Sequence, residues 1–278
     1  GSGALTGAFR HEWLDQVDAQ GITMRQAMQS VGLDAAKISS IERDARQYLG
    51  FVEVHIEQGP VLNEMNLPLA VVSSINGSVR LMCSMLGTAC HAGTTPMDRR
   101  QDAAVAAAEL ALYVERRARQ DGDSVGTIGL LNVPSGSINV VPGRCDFSLD
   151  LRAPTDAQRD ALLHDVLTHA DAIAFRRGVQ FAYEETMRAA AAPSHPAWQA
   201  RWTRAVEALG LPVHTMPSGA GHDAMKLHEV MPQAMLFVRG ENSGISHNPL
   251  ESSTADDIDL AVRAFQHVLD DLAQELPA

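Results

Sequence analysis

Hydrophobic and polar residues recur with clear periods along this chain, and the period changes from segment to segment. Residues 1 to about 47 favour polar helices, with Thr23 and Gln26 spaced as a capping box and Gly32 placed as a helix stop. The segment Phe51–Glu57 then alternates, which predicts a half-buried strand. Its apolar positions are Val52, Val54 and Ile56, and its polar positions are Glu53, His55 and Glu57.

The middle of the chain predicts a compact unit of mixed helices and strands. The expected elements are, in order, strand 79–86, helix 102–118, strand 125–133, strand 145–152, helix 156–177 and strand 179–184. This is the order of a split βαβ, ferredoxin-like unit. Thr155 and Gln158 form a second capping box, and Gly178 is placed for a left-handed helix end.

After the alanine-rich and proline-ended segment 187–193, the pattern becomes alternately helical and extended. A helix with Trp198 and Trp202 ends at Gly210, and a short strand leads into a glycine loop. The apolar run 234–238 predicts a strand covered on both faces, followed by a loop and a final amphipathic helix. We therefore expect two α/β pieces, residues 1–76 and 189–278, flanking an inserted unit of residues 77–188.

Composition narrows the possible functions. The chain has 278 residues, a formal net charge of −12 and 45% hydrophobic residues, which indicates a globular protein with a real core. The negative charge argues against nucleic-acid and membrane partners. Three scattered cysteines and the lack of a long apolar run favour a reducing, cytoplasmic setting without a membrane anchor.

Four short segments combine a histidine with glycine or proline, and their histidines are His55, His91, His222 and His247. Each alone is most often a surface histidine, and His222 also fits the start of a helix. Arg152, at the end of a predicted strand, suits bidentate carboxylate binding or, equally well, an ion pair with Asp146 or Asp150. The chain contains no G-x-S-x-G, P-loop, dinucleotide or H-E-x-x-H motif. Histidine–carboxylate metal chemistry fits the pattern best.

Six motifs occur in order along the chain. They are H-I-E-Q-G-P from His55, H-A-G-T-T-P-M from His91, N-V-V-P-G from Asn139, D-x-R ending at Arg152, S-G-A-G-H-D-A from Ser218 and G-I-S-H-N-P-L-E from Gly244. With them the sequence resembles the dinuclear metal amidohydrolases that act on N-carbamoyl-L-amino acids, allantoate and β-ureido acids. The resemblance implies an α/β catalytic domain of the zinc-exopeptidase type with an inserted ferredoxin-like α+β lid that forms a homodimer.

The resemblance also implies roles for individual residues. Two divalent ions, zinc or manganese, are bound in such enzymes, one by the match to His55 and the other by the match to His247. The match to His91 stabilises the oxyanion of the tetrahedral intermediate, and the match to Arg152 takes the substrate carboxylate together with loop amides. The residues that hold the small carboxylate substrate match Gln58, His91, Asn139, Arg152, Gly219, Ala220 and Gly221.

The same resemblance raises an expectation about completeness. Family members carry upstream metal-binding carboxylates that have no match here, so the N-terminal part of the catalytic domain is expected to be missing and the chain to show negligible activity. Two functions therefore stand: an amidohydrolase on a linear ureido C–N bond, or an inactive, dimerising and carboxylate-binding fragment. The motifs do not choose between allantoate and N-carbamoyl-L-amino acids.

Overall fold

The computed structural model describes residues 1–275. Its strands are, in chain order, β1 (Phe51–Ile56), β2 (Leu69–Ile75), β3 (Gly77–Leu86), β4 (Cys90–His91), β5 (Val125–Thr127), β6 (Leu131–Asn132), β7 (Val140–Val141), β8 (Arg144–Ala153), β9 (Gln180–Ala189), β10 (Ala192–Pro193), β11 (Thr215–Ser218) and β12 (Gln233–Val238). Its α-helices are α1 (Ser2–Leu5), α2 (Met24–Ser30), α3 (Val61–Met65), α4 (Ala103–Gln120), α5 (Asp156–Arg177), α6 (Pro196–Ala208), α7 (Ala224–Leu227) and α8 (Ala255–Glu275). Short 3-10 helices cover His11–Asp15, Ala35–Ile41, Ala45–Gln47, Met97–Arg99 and Asn242–Gly244.

The chain combines α-helices with β-strands, which confirms the mixed α/β class, and it divides into two compact units. Among the described residues, unit 1 comprises residues 1–73, 194–216 and 221–275, and unit 2 comprises residues 74–193 and 217–220. The last three residues of the predicted piece 189–278 lie outside the described residues. No helix within residues 1–275 combines the length and apolar character needed to cross a membrane.

Unit 1 is organised around β12, the strand predicted from its continuous apolar run. Strand β1 pairs with β12 in parallel, and β2 pairs with its other edge antiparallel. All six residues of β12 are buried, as a strand covered on both faces requires. Helices α6 and α8 pack on it through Trp198, Trp202, Ala261 and Val268, which form one hydrophobic cluster with Leu236.

The start of the chain follows its capping signals. Thr23 accepts the backbone N–H of Gln26 while the Gln26 side chain accepts the N–H of Thr23, so the predicted capping box is confirmed. Gly32 has a φ of +77° and donates to Gln29 O, while Leu33 donates to Met28 O, which ends α2 as predicted. The elements before β1 are shorter than expected, being mostly single turns.

Unit 2 contains the expected strand and helix order. Its antiparallel sheet has the strand order β5-β8-β3-β9, which is the arrangement of a split βαβ unit. Helices α4 and α5 cover one face, burying Leu110 and Leu162 among others against Leu81, Phe147 and Leu149. Since neighbouring residues of a strand face opposite sides, Arg80, Ser148, Asp150 and Arg152 lie on the other, more polar face.

Two predicted elements differ in detail. The expected strand 125–133 is split into β5 and β6. Thr127 of β5 pairs with Asp150 of β8, and Leu131 of β6 pairs with Phe147 of β8. The first two paired positions are thus four residues apart on one side and three residues apart on β8. One extra residue in one strand is a β-bulge, and Leu130 N–H donates to the Ser148 hydroxyl there.

The final helix also differs in detail, because the sequence predicts an apolar face that includes Ile258, Ala261, Val262 and Val268, and only part of it is buried. Helix α8 buries Ala261, Ala264 and Val268, whereas Ile258 and Val262 are 49% and 60% exposed. Ile258 and Val262 line a cavity of about 340 Å3 together with residues of β1, including His55.

Candidate metal and carboxylate site

The predicted site residues are distributed over both units. Unit 1 contains Gln58, His55, His247 and Gly221, and unit 2 contains His91, Asn139, Arg152, Gly219 and Ala220. The residues in each unit are positioned by the strands and loops of that unit.

His55 lies on β1, and its ring is oriented by the main chain. Its Nδ1 is 2.8 Å from the carbonyl oxygen of Ile56, which can only accept a hydrogen bond. Nδ1 therefore carries the proton in the neutral ring, and Nε2 keeps its lone pair. An imidazole held in this way offers Nε2 as a ligand atom for a metal ion.

Glu53 and His222 adjoin His55. The ligand atoms of Glu53, His55 and His222 lie within 4.8 Å of one another, and the rings of His55 and His222 are 4.6 Å apart between centroids. The His222 side chain is 1% exposed, and burial together with nearby His55 lowers the pKa of His222 to about 4. Burial raises the pKa of Glu53, whose Oε2 accepts the N–H of Ala224. Burial thus favours the neutral form of His222, and the cluster offers two imidazole nitrogens and a carboxylate oxygen as ligand atoms.

His247 lies beside Gln58 in a strained loop. Gln58 Nε2 donates to the Ser246 hydroxyl at 2.9 Å and is 3.4 Å from His247 Nε2. Gln58 and His247 have φ values of 60° and 56°, in the left-handed region that non-glycine residues rarely adopt. Backbone strain of this kind persists where the surroundings impose it and clusters at functional sites.

The glycines of two motifs permit the close approach of their loops. A Cβ on Gly244 would lie 1.6 Å from the carbonyl oxygen of Gly59, and Gly244 itself has a φ of +67°. Glu57 caps α3, since its carboxylate accepts the N–H groups of Val61 and Leu62 at 2.8 Å each. The glycines and Glu57 of these motifs thus build the loops that carry Gln58 and His247.

His91 is positioned by its own loop. Gly93 N–H donates to His91 Nδ1 at 3.0 Å, so Nε2 carries the proton of the neutral ring and is a hydrogen-bond donor. Arg100 holds the loop closed by donating to the carbonyls of Ala92 and Thr95. The Nε2–H group is the part of His91 that suits an oxyanion.

Asn139 is brought next to the His91 loop by a short antiparallel pair. His91 of β4 faces Val140 of β7, and the Asn139 carbonyl accepts the N–H of Ala92 at 2.9 Å. The Asn139 Oδ1 accepts from the Ser137 hydroxyl, which orients its amide group. The structure therefore joins two predicted site residues that are far apart in sequence.

Arg152 makes both an ion pair and a contact with the glycine loop. Its Nε and Nη2 each donate to the Asp150 carboxylate at 2.8 Å, and Nη1 donates to the carbonyl of Gly219 at 2.7 Å. Asp146 instead pairs with Arg144. Of the two ion-pair partners considered from the sequence, the structure selects Asp150. The loop thus presents a carbonyl to Arg152 at Gly219, where the sequence suggested amides for a substrate.

Comparison with known proteins identifies the family to which the chain belongs. The sequence profile of Peptidase family M20/M25/M40 matches residues 22–271. The chain belongs to this family. An N-carbamoyl-L-amino acid amidohydrolase of Geobacillus stearothermophilus is 38% identical over 274 residues, 99% of this chain and 67% of that protein. An allantoate deiminase of Arabidopsis thaliana is 33% identical, with 97% of this chain and 57% of that protein covered.

Solved structures agree with this membership. A hydantoinase/carbamoylase family amidase from Burkholderia multivorans matches with a TM-score of 0.87 and 31% identity, covering 96% of this chain and 64% of that one. A second such amidase, from Burkholderia ambifaria, matches with a TM-score of 0.84 and 32% identity, covering 97% and 64%. The chain spans about two thirds of the length of the relatives that it matches.

Two residues of the cluster around His55, Glu53 and His222, were not predicted as site residues. The alternation of β1 places Glu53 on the same face as His55, so the strand pattern already contained a signal for Glu53. For His222 the sequence predicts a histidine in a glycine loop or at the start of a helix, and the residue does lie just before α7. The contact between the His222 and His55 rings joins residues far apart in sequence, so no local pattern predicts it.

Proposed function

We propose that the protein is a metal-dependent amidohydrolase that cleaves the ureido C–N bond of an N-carbamoyl-L-amino acid or of allantoate. The single observation that carries this proposal is the His55 cluster, in which an oriented imidazole stands with a second imidazole and a carboxylate in a chain of the M20 family. Glu53 and His222 add donors to those expected from the sequence, which favours the enzyme over the inactive fragment. For an N-carbamoyl amino acid, one water would yield the free amino acid, carbon dioxide and ammonia.

The donor set of the cluster fits a divalent metal ion. Two nitrogens and a carboxylate oxygen are typical ligands of zinc and also suit manganese. We propose that His55, with Glu53 and His222 beside it, holds one ion and that His247 holds a second. When bound, such ions polarise the ureido carbonyl and lower the pKa of a bound water.

The other residues would bind and orient the substrate. His91 would donate from Nε2–H to the oxygen that becomes negative in the transition state, and Asn139 would donate from its side-chain amide. Gln58, whose side chain lies between Ser246 and His247, would contact the ureido group. Arg152, with the segment Gly219–Gly221, would hold the carboxylate and fix the orientation of the substrate.

We further propose a cytoplasmic homodimer, assembled through unit 2 as the lid domain. Large exposed apolar side chains support an assembly surface on this unit, since Phe175 of α5 is 92% exposed and Leu112 of α4 is 64% exposed. Neither nucleic acid nor a membrane is an expected partner of a chain with a net charge of −12.

Ligand binding and ammonia release test the function together. N-carbamoyl-L-alanine and allantoate are titrated into the protein, and ammonia is measured with added zinc or manganese. Arg152→Ala is expected to weaken binding of the carboxylates about tenfold or more, which is the loss typical of a charge-assisted contact. The matched control is Arg144→Ala, which removes a cation on the same strand that is paired with Asp146.

The outcomes separate the two functions that the sequence left open. Binding with metal-dependent ammonia release supports the enzyme. Binding without release under any metal condition favours the non-catalytic, carboxylate-binding fragment. The absence of both binding and release contradicts both functions.

A further inference from the structure

We propose that Asp150 is a positioning residue that fixes the guanidinium of Arg152 and thereby sets the preference of the site for carboxylate ligands. The identity of the ligand rests on the proposed function. The arrangement of Asp150 and Arg152 rests on unit 2 alone.

The strand register brings the groups together. Asp150 and Arg152 are two residues apart on β8, so their side chains leave the same face of the sheet. Arg80 of β3 is the direct cross-strand neighbour of Asp150, and its Nε donates to Asp150 Oδ2 at 3.0 Å. Asp150 therefore accepts from two arginines, and the cluster of three has a net charge of +1.

The donors of Arg152 can be counted. A guanidinium has five N–H groups and no acceptor. Asp150 takes two of them as a fork, and Gly219 O takes a third. Two N–H groups remain after these contacts, which is the number that one carboxylate accepts in a bidentate pair.

The cluster opens into a cavity that can take a small ligand. The cavity has a volume of about 490 Å3, and its lining includes Arg80, Asp150, Arg152 and Gly219. Small hydroxyl-bearing residues, Thr127, Ser148 and Thr186, also line it. The hydrogen bonds from Arg152 lower the pKa of Asp150, and Arg80 adds to this effect. Asp150 is therefore ionised near neutral pH and can accept both hydrogen bonds from Arg152.

Positioning and simple electrostatics predict effects of opposite sign. Removing the negative charge of Asp150 makes the cluster more positive, which alone would tighten the binding of an anion. Losing the fork frees Arg152 to rotate, which costs ordering free energy when the ligand binds. The direction of the change in affinity therefore reports which role Asp150 has.

The chain offers a matched control for this test. Asp146 lies on the same strand and the same face, and it too binds an arginine two residues away, Arg144. Asp150→Asn and Asp146→Asn thus remove the same charge from the same kind of pair. Calorimetric titration uses N-carbamoyl-L-alanine and, as the uncharged probe, its carboxamide.

We expect Asp150→Asn to raise the Kd of N-carbamoyl-L-alanine about tenfold, as for the loss of ordered charge-assisted hydrogen bonds. The carboxamide should bind the variant as it binds the wild type. Asp146→Asn should change either Kd by less than about twofold, as for an exposed ion pair. An unchanged or lower Kd in Asp150→Asn, or equal effects of the two variants, would overturn the proposal.

A second readout separates this proposal from the proposed function. The Nε–H signal of Arg152 in the free protein, followed by NMR hydrogen exchange, is expected to be slow in wild type and in Asp146→Asn and fast in Asp150→Asn. If wild type binds neither probe, the proposed function fails while this comparison still decides the role of Asp150. Equal exchange in all three proteins would refute the positioning role.

Discussion

Replacing Gly244 by alanine tests the close approach of the two loops that carry Gln58 and His247. Gly244 combines a left-handed φ of +67° with a carbonyl, that of Gly59, 1.6 Å from the position of an added Cβ. Gly210 has a similar φ of +73° and no atom within 4 Å of an added Cβ. The pair Gly244→Ala and Gly210→Ala therefore shares the backbone strain and differs in the collision.

The expected loss of stability follows from these two contributions. A side chain in the left-handed region costs about 1–2 kcal/mol, and both variants should lose this amount. The collision with Gly59 involves backbone on both sides, so relief requires one loop to move. Forced displacement of this kind typically adds about 1–3 kcal/mol, so Gly244→Ala should lose about 2–5 kcal/mol in total.

Urea unfolding of both variants and of the wild type measures the difference directly. Because Gly244→Ala displaces the loop of His247, it should also weaken zinc binding, whereas Gly210→Ala should leave zinc binding unchanged. Equal losses of unfolding free energy in the two variants would refute the argument that loop contact, in addition to backbone conformation, requires glycine at 244.

Three further outcomes follow from the structure. His91→Ala should lower kcat about 100-fold or more with little change in KM, as the loss of one oxyanion donor does, and an unchanged kcat would refute its role. A thiol reagent at pH 8 should leave Cys83 and Cys145 unmodified in the folded protein, since burial raises the pKa of Cys83 to about 12 and also raises that of Cys145; labelling at the rate of the partly exposed Cys90 would contradict this. Because the pKa of Asp150 is lowered in the folded protein, its ion pairs stabilise the fold fully above the unfolded pKa of about 4, and this stability is lost as the pH falls through the folded pKa. The difference in unfolding free energy between wild type and Asp150→Asn should therefore be constant from pH 7 to 5 and shrink below pH 4. A difference that stays constant down to pH 2 would contradict the lowered pKa.

Much of the fold follows from local sequence signals. Helix α5 has its predicted limits because Thr155 caps its first turn and Gly178 adopts the left-handed conformation at its end. Strand β12 was predicted from the apolar run 234–238, and all of these residues are buried. In these elements local propensity and burial favour the same structure.

The site depends on contacts that local patterns do not encode. Alternation placed Asp146 and Asp150 on one face with Arg152, but the choice of Asp150 reflects the fork geometry and the cross-strand position of Arg80. His222 joins His55 through long-range packing. His247 adopts a left-handed φ that its residue type does not signal.

Metal-dependent ammonia release is the measurement that tests the central claim most directly. The wild-type protein and His55→Ala are incubated with N-carbamoyl-L-alanine, with zinc or manganese added and then with a chelator. The account predicts release by the wild type that the chelator abolishes and that His55→Ala lacks. Release that persists in the chelator or in His55→Ala, or no release from a wild type loaded with metal and substrate, would contradict it.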